Sequence, residues 1–360
     1  MIRSTKVSIN SARVKKRCNV NIFLEEYRRV IAQFVDLLWE EKDVPSLLPK
    51  KFTTQVQTWL TARMIQCCGK QASGIVRGTR KKYEQRNWRL AKLKQEGKDT
   101  KILEKAITPI SKPDLTSVSA ELDERFIKVD LDNQTSFDGW ITIGCIGRKM
   151  KLVLPFKRHK HFNELDESGE MTKGARIGRK NVTFIFNLPD VPKKRNGEIL
   201  GIDIGVTNCI ATSQDNLSKK DVHGHTLTSI MKKLSLRKKG SNGFRQAQNH
   251  RKNYINWAVN QLDLTGVKEI RRENIKNLRK GKKSSRFLAH WTYTDIFDKL
   301  DRLCEKQGVL VTKVNPAYTS QICAKCGTKG KRRGKHFSCS CRITTDSDLN
   351  AALNILSASL

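Results

Sequence analysis

Apolar residues at steps of three and four shape the first long element of the chain. Phe23, Tyr27, Val30, Ile31, Phe34 and Leu38 share one face of a helix within NIFLEEYRRVIAQFVDLLW. The spacing recurs in FTTQVQTWLTARMIQCCGKQASGIVRG through Val56, Leu60, Met64, Cys67 and Cys68, and predicts a second helix. TRKKYEQRNWRLAKLKQEGK extends it as a very basic helix, and residues 1–15 read as a short strand and a basic loop. Between Thr108 and Ser119, prolines and polar residues end the helical pattern. The texture then changes: RFIKVDL, GWITIGCIG, KMKLVLPF and NVTFIFNLP are β-rich runs separated by Gly, Asn and Asp turns. Their spacing predicts a small β-barrel of oligonucleotide-binding type. LPDVPKKRNG marks the next boundary. Beyond it, EILGIDIG and CIATS predict a strand hairpin, followed by two basic helical stretches to Leu262 and a weak strand before Glu273. A helix over Trp291–Gln307, the strand VLVTKVN, a cysteine-rich segment and a last helix complete the pattern of an α/β domain with a mixed sheet.

Charge adds a partner to this picture. The 360 residues hold 70 Lys and Arg against 35 Asp and Glu, a net charge of +35. A chain so basic repels itself unless a polyanion neutralises it. Magnitudes of about 2–8 suffice for the solubility of a small domain, so nucleic acid is the expected partner. An acidic membrane surface is the other reading, but no amphipathic anchor, lipidation motif or run of about 18 apolar residues supports it. The first residues lack the apolar core of a signal peptide, so an intracellular, cytoplasmic protein with reduced thiols is expected.

Two groups of residues carry candidate chemistry. Asp203 lies inside the apolar strand ILGIDIG, where a charge is costly unless it is paired or metal-bound; a strand-end Asp bonding a turn is the plainer alternative. Glu273 follows a predicted strand, with Glu269 four residues away as a competitor. Asp346 and Asp348 open the last helix, where Asp also serves as a cap. Acids on a first strand, after the middle helices and on a final helix can converge at one sheet edge. There they can hold two Mg²⁺ ions about 3.5–4 Å apart, the arrangement of a ribonuclease-H-like nuclease.

The second group is Cys323, Cys326, Cys339 and Cys341, a C-x-x-C and a C-x-C within nineteen positions. Four clustered thiolates satisfy one tetrahedral, structural zinc ion with no open catalytic position. The remaining six of the ten cysteines are scattered and read as small apolar residues.

GIDIGV, REN, NPAYTSQICAKCG and DSDLNAALNI resemble, in order, signature segments of the TnpB proteins of insertion sequences. They are equally similar to those of the compact type V CRISPR effectors, over about residues 198–360; the first half resembles these proteins only in plan. The resemblance implies an RNA-guided DNA endonuclease with an α+β multidomain fold. Residues 1–15 would be the first strand of a wedge domain, 16–107 a helical recognition lobe and 108–195 the wedge β-barrel. Residues 196–320 would form a RuvC nuclease domain, 321–342 an inserted zinc ribbon and 343–360 the final RuvC helix. It further implies Asp203, Glu273 and Asp348 as catalytic Mg²⁺ ligands, because the third acid of the family precedes x-Asn-Ala, and leaves Asp346 as a cap or neighbour. Guide RNA and double- and single-stranded target DNA would be the partners, in a prokaryotic, nucleoid-associated, transposon- or CRISPR-derived system acting as a monomer or homodimer. The chain departs from the family's pattern at the second cysteine pair, which is often C-x-x-C followed by Gly; here it is C-x-C followed by Arg342.

Two further readings share these features: a guided repressor that has lost cleavage, and a guide-independent, structure-specific nuclease. Among other residues, His159 and His161 read as surface or nucleic-acid-facing, Trp59 as core, and Tyr83 and Trp88 as stacking platforms. NLRKGKKSSR reads as a mobile basic loop, GTKGKRRGKH as a basic finger, and Tyr318, Thr319 and Ser320 as the ribbon's entry or a substrate contact.

Overall fold

The computed structural model describes residues 1–106, 110–131, 135–275 and 285–358. The chain separates into two units, residues 1–190 and 191–360. Most of NLRKGKKSSR lies outside the described residues. No helix among the described residues is long and apolar enough to cross a membrane.

The first unit runs β1 (Ile2–Ser8), α1 (Val14–Trp39), α2 (Lys50–Thr53), α3 (Ala62–Gln95) and α4 (Lys101–Ala106). It continues through β2 (Ala120–Leu122), β3 (Ile127–Asp130), β4 (Gly139–Ile143), β5 (Leu152–Phe156), α5 (Lys160–Ser168), β6 (Glu170–Ile177) and β7 (Asn181–Asn187). β1 pairs antiparallel with β7 from Ile2↔Asn187 to Ser8↔Asn181, so the four helices α1–α4 are an insertion in the path of a sheet. The strands form two sheets, β1-β7-β6-β2 and β3-β4-β5, where the sequence predicted a barrel. β2 has three residues and β3 four, too few ladder bonds to close a ring. The sheets and helices instead share one core, in which Phe156, Phe162 and Phe184 pack with ring centroids 5.3–6.0 Å apart.

One local prediction needs correction. The second helix begins at Ala62 rather than near Val56, because Thr61 takes an extended conformation and its hydroxyl accepts the Met64 N–H; Val56 and Leu60 are buried from the preceding loop. His159 lies at the surface, yet both of its ring nitrogens are engaged within the fold. Nδ1 accepts the Phe162 N–H at 3.3 Å, capping α5, and Nε2 lies 3.1 Å from the Lys6 carbonyl oxygen. Trp59 is half-buried on the core beneath the Arg148 guanidinium, whereas Trp88 is 67% exposed.

α3 is 34 residues long, and its last buried residue is Val76. One turn further, Arg80 reaches back to the end of α1. Its guanidinium donates to the carbonyls of Trp39 and Glu41 at 2.7 Å each and to those of Leu38 and Lys42 at 3.3 and 3.1 Å. These carbonyls have no partner within the ending helix, so one side chain caps α1 and fixes the two helices together.

The second unit runs β8 (Glu198–Asp203), β9 (Ala211–Thr212), α6 (Leu227–Leu236), α7 (Asn242–Asn260), β10 (Val267–Glu273), α8 (Tyr293–Gln307) and β11 (Leu310–Val314). The hairpin β12 (Lys331–Arg333) and β13 (His336–Ser338), strand β14 (Thr344–Asp346) and α9 (Ser347–Ser357) follow. The main sheet has the order β11-β10-β8-β9. β10 is parallel to both β8 and β11, and parallel neighbours need crossovers, which α6–α7 and α8 supply. α9 packs directly on β8. Gly201 permits this: a Cβ there would stand 2.1 Å from the Ala352 carbonyl oxygen.

Candidate active site and cysteine ribbon

The sheet delivers two acids to one edge. Asp203 is the last residue of β8 and Glu273 the last of β10. Arg272 is in register with Ile202, so Glu273 stands level with Asp203 at the carboxyl ends of parallel strands. That edge is where open α/β sheets bind ligands. Arg272 anchors β10 by a two-pronged ion pair with Asp301 of α8 (3.1 and 2.8 Å), its guanidinium 4.1 Å from the Phe297 ring centre. Glu269 is paired with Arg271 at 3.1 Å, four residues back along the strand from the edge.

The third acid arrives on α9. Asp346 is its N-cap, accepting the backbone N–H groups of Asp348 (2.8 Å) and Leu349 (3.4 Å). Asp348, 3% exposed, accepts from the Asn208 amide at 3.1 Å through one oxygen and from Arg332 at 3.1 Å through the other. Gly205 keeps the intervening space open, since a Cβ there would come within 3.0 Å of that Asp348 carboxylate.

Electrostatics tie the three together. Burial pushes the Asp203 carboxyl up to about 8, and the charges of Glu273 and then Asp348 push the same way. Burial also raises Glu273, against a hydrogen bond from the Thr319 hydroxyl that favours its ionised form. Such mutual pressure is relieved by a divalent cation, and hard carboxylate oxygens suit Mg²⁺. Among the described residues, the four cysteines form the group of His, Cys, Asp or Glu whose ligand atoms gather, all within 4.8 Å of one another.

In the ribbon, Cys323 Sγ lies 3.7 Å from Cys341 Sγ and Cys326 Sγ 3.5 Å from Cys339 Sγ. Tetrahedral zinc with bonds of about 2.3 Å sets its sulfurs ~3.8 Å apart, so the residues present fit the ion. The Thr328 hydroxyl, ahead of the Cys341 N–H, draws the Cys339 thiol down to about 6, toward the thiolate a metal needs. The shortened second pair still makes a knuckle: the Arg342 N–H bonds the Cys339 carbonyl and the Cys339 N–H that of Ile343. Arg342 meets the turn with φ +66°, the left-handed conformation that glycine adopts without strain.

The ribbon is held to α9 by asparagines. Asn350 and Asn354 both donate to the Ile322 carbonyl at 2.7 Å, Asn350 Oδ1 accepts the Ala324 N–H at 3.0 Å, and Asn354 also donates to the Thr319 carbonyl at 2.8 Å. Asn208, Arg332, Asn350 and Asn354 do not stand out in the sequence. Each is a polar residue whose partner is distant along the chain, and only the buried polar run DSDLNAALN hints at them.

Comparison with known proteins reaches the ribbon and α9 through one family model. Residues 293–355 match the family described as Cas12f1-like, TNB domain. The chain is similar to the CRISPR-associated endodeoxyribonuclease Cas12f1 of Sulfoacidibacillus thermotolerans, 38% identical over 37% of this chain and 31% of that protein. It is also similar to the Cas12f1 of an uncultured archaeon, 26% identical over 52% of this chain and 43% of that one. The chain thus spans less than half the length of these relatives. Its mixed α+β fold is like that of the mini-RNA-guided endonuclease CRISPR-Cas_phi3, with a TM-score of 0.55, 12% identity and coverage of 99% of this chain and 92% of the other. The chain is thus similar to the compact type V effector and TnpB-like proteins, with residues 293–355 matching the family model.

Proposed function

We propose that the chain is an RNA-guided DNA endonuclease whose second unit is a RuvC-type nuclease. The observation that carries this reading is the buried Asp203, pressed by Glu273 and Asp348 at the carboxyl edge of a parallel sheet. The names of the relatives support the substrate: endodeoxyribonucleases. The net charge of +35 suits a guide–target heteroduplex, whose ~20 bp carry about 40 phosphates. In this reading, base pairing with guide RNA selects the target strand, and the first unit, as wedge and helical lobe, grips RNA and flanking duplex.

Asp203, Glu273 and Asp348 are proposed to hold Mg²⁺. Bound there, Mg²⁺ would supply the activation of water and the stabilisation of the leaving oxygen in phosphodiester hydrolysis. Asn208 fixes one oxygen of Asp348, and the Arg332 guanidinium balances the charge of the other. Cys323, Cys326, Cys339 and Cys341 are proposed to hold one structural Zn²⁺ that folds the basic hairpin beside the acids.

The test is to purify the protein with its co-purifying RNA and to assay binding and cutting of matching duplex DNA in Mg²⁺. Asp203→Ala, Glu273→Ala and Asp348→Ala should each bind the target and fail to cut it. Near-normal cutting by Asp203→Ala would refute the assignment. Cutting by RNA-free wild type would favour a guide-independent nuclease.

A further inference from the structure

Thr319 is 8% exposed, between β11 and the first cysteine pair, and donates its hydroxyl proton to Glu273 Oε1. Its carbonyl accepts from Asn354, on the helix that carries Asp348. Asn354 also bonds the Ile322 carbonyl, one residue before Cys323. A continuous hydrogen-bonded chain therefore runs α9–Asn354–Thr319–Glu273. Asn208, in the loop after Asp203, closes the opposite side on Asp348.

We propose that Thr319 is the positioning residue of Glu273, and that Asn354 sets Thr319, so that α9 determines where the second acid stands as well as the third. The proposal rests on the metal-site reading above and adds to it. Glu273 sits at a strand end, where only one strand neighbour, Val314 of β11, is in register with it, so the backbone alone leaves its side chain free to rotate. The Thr319 hydroxyl occupies Oε1 and directs Oε2 toward the cation. A hydroxyl is the group required: it donates one proton, and being neutral it does not cancel the charge the metal needs. Partners of this kind, behind a ligand, typically alter metal affinity 10–100-fold.

The experiment uses the purified full chain with its RNA and reads Mn²⁺ binding by electron paramagnetic resonance, independently of cutting. Asp203→Asn defines the binding that belongs to the acids. Thr319→Val should weaken that binding about 10-fold or more. Thr319→Ser, which keeps the hydroxyl, should stay within about 3-fold of wild type. Asn354→Ala should weaken binding as well, and Thr319→Val/Asn354→Ala should be no worse than Thr319→Val alone, because the two residues act in series. Zinc content and melting temperature report whether each variant has folded; equal values with weakened Mn²⁺ binding separate positioning from unfolding. Wild-type affinity in Thr319→Val, or failure of Thr319→Ser to rescue, would overturn the proposal while leaving the metal site standing. Absence of any Asp203-dependent Mn²⁺ binding in wild type would overturn both.

Discussion

Gly201 and Ala352 meet without room for a methyl group: a Cβ on Gly201 would lie 2.1 Å from the Ala352 carbonyl oxygen and 2.8 Å from the Leu356 nitrogen. Both obstructing atoms are backbone, so α9 must move as a body to admit one. Gly201→Ala should therefore displace Asp348 from Asp203 and abolish DNA cutting. The cost in stability should be on the order of 1–3 kcal/mol, as for other overpacked sites. Cleavage assays beside a thermal melt check this, and unchanged cutting would show that α9 tolerates the shift.

The raised Asp203 carboxyl has a consequence for pH. Its folded value of about 8 exceeds the unfolded carboxylate value near 4, so the folded state favours the proton. Stability is then full below about pH 4 and declines as pH rises toward 8, on the order of a few kcal/mol for the metal-free protein. Asp203→Asn removes the titration. The mutant should melt close to wild type near pH 4 and several degrees above it near pH 8, in chelator. Added Mg²⁺ should raise the wild-type melting temperature and leave that of the mutant unchanged. Parallel pH profiles for the two proteins would contradict the burial argument.

Asp346 and Asp348 are separated by one residue and by function. Asp346→Ala loses an N-cap, worth about 1 kcal/mol, and should retain substantial cutting. Asp348→Ala should abolish cutting with target binding intact. The reverse outcome would make Asp346 the third acid.

The cysteine knuckle carries a strained residue. Left-handed backbone costs a non-glycine residue roughly 1–2 kcal/mol. Arg342→Gly should relieve much of this and slow the loss of zinc to a chelator, whereas Arg342→Ala should not. Wild-type protein should hold about one zinc per chain by elemental analysis, as a single four-cysteine site requires. Cys326→Ser should lower the zinc content sharply. Zinc-free wild type purified without chelator would exclude the ribbon site.

The elements that carry the candidate site are readable in the sequence because their signals are local. Asp203 interrupts an apolar strand, Glu273 ends a weak, charge-rich strand, and the cysteines declare themselves by spacing. What brings them together is not readable. Asn208 reaches Asp348 across 140 positions and Thr319 reaches Glu273 across 46, and no periodicity encodes such pairs. β6 is hidden because EMTKGARI does not alternate cleanly; its register shifts between Met171 and Ala175. The start of α3 is misplaced by the sequence pattern because buried Val56 and Leu60 mimic helical spacing while lying in a loop.

Arg80 and the long reach of α3 have a mechanical side. Beyond Val76 the helix continues to Gln95, about 28 Å at 1.5 Å per residue, with no buried residue to brace it. It is a lever with its pivot at the Arg80 guanidinium. A rotation of about 5° there swings the far tip, ~22 Å from Arg80, by about 2 Å, close to the H···O length of a hydrogen bond. Loosening Arg80 would thus move the chain little at the pivot and much at the tip, and the aim of the helix's basic end is set by a residue one turn beyond the core.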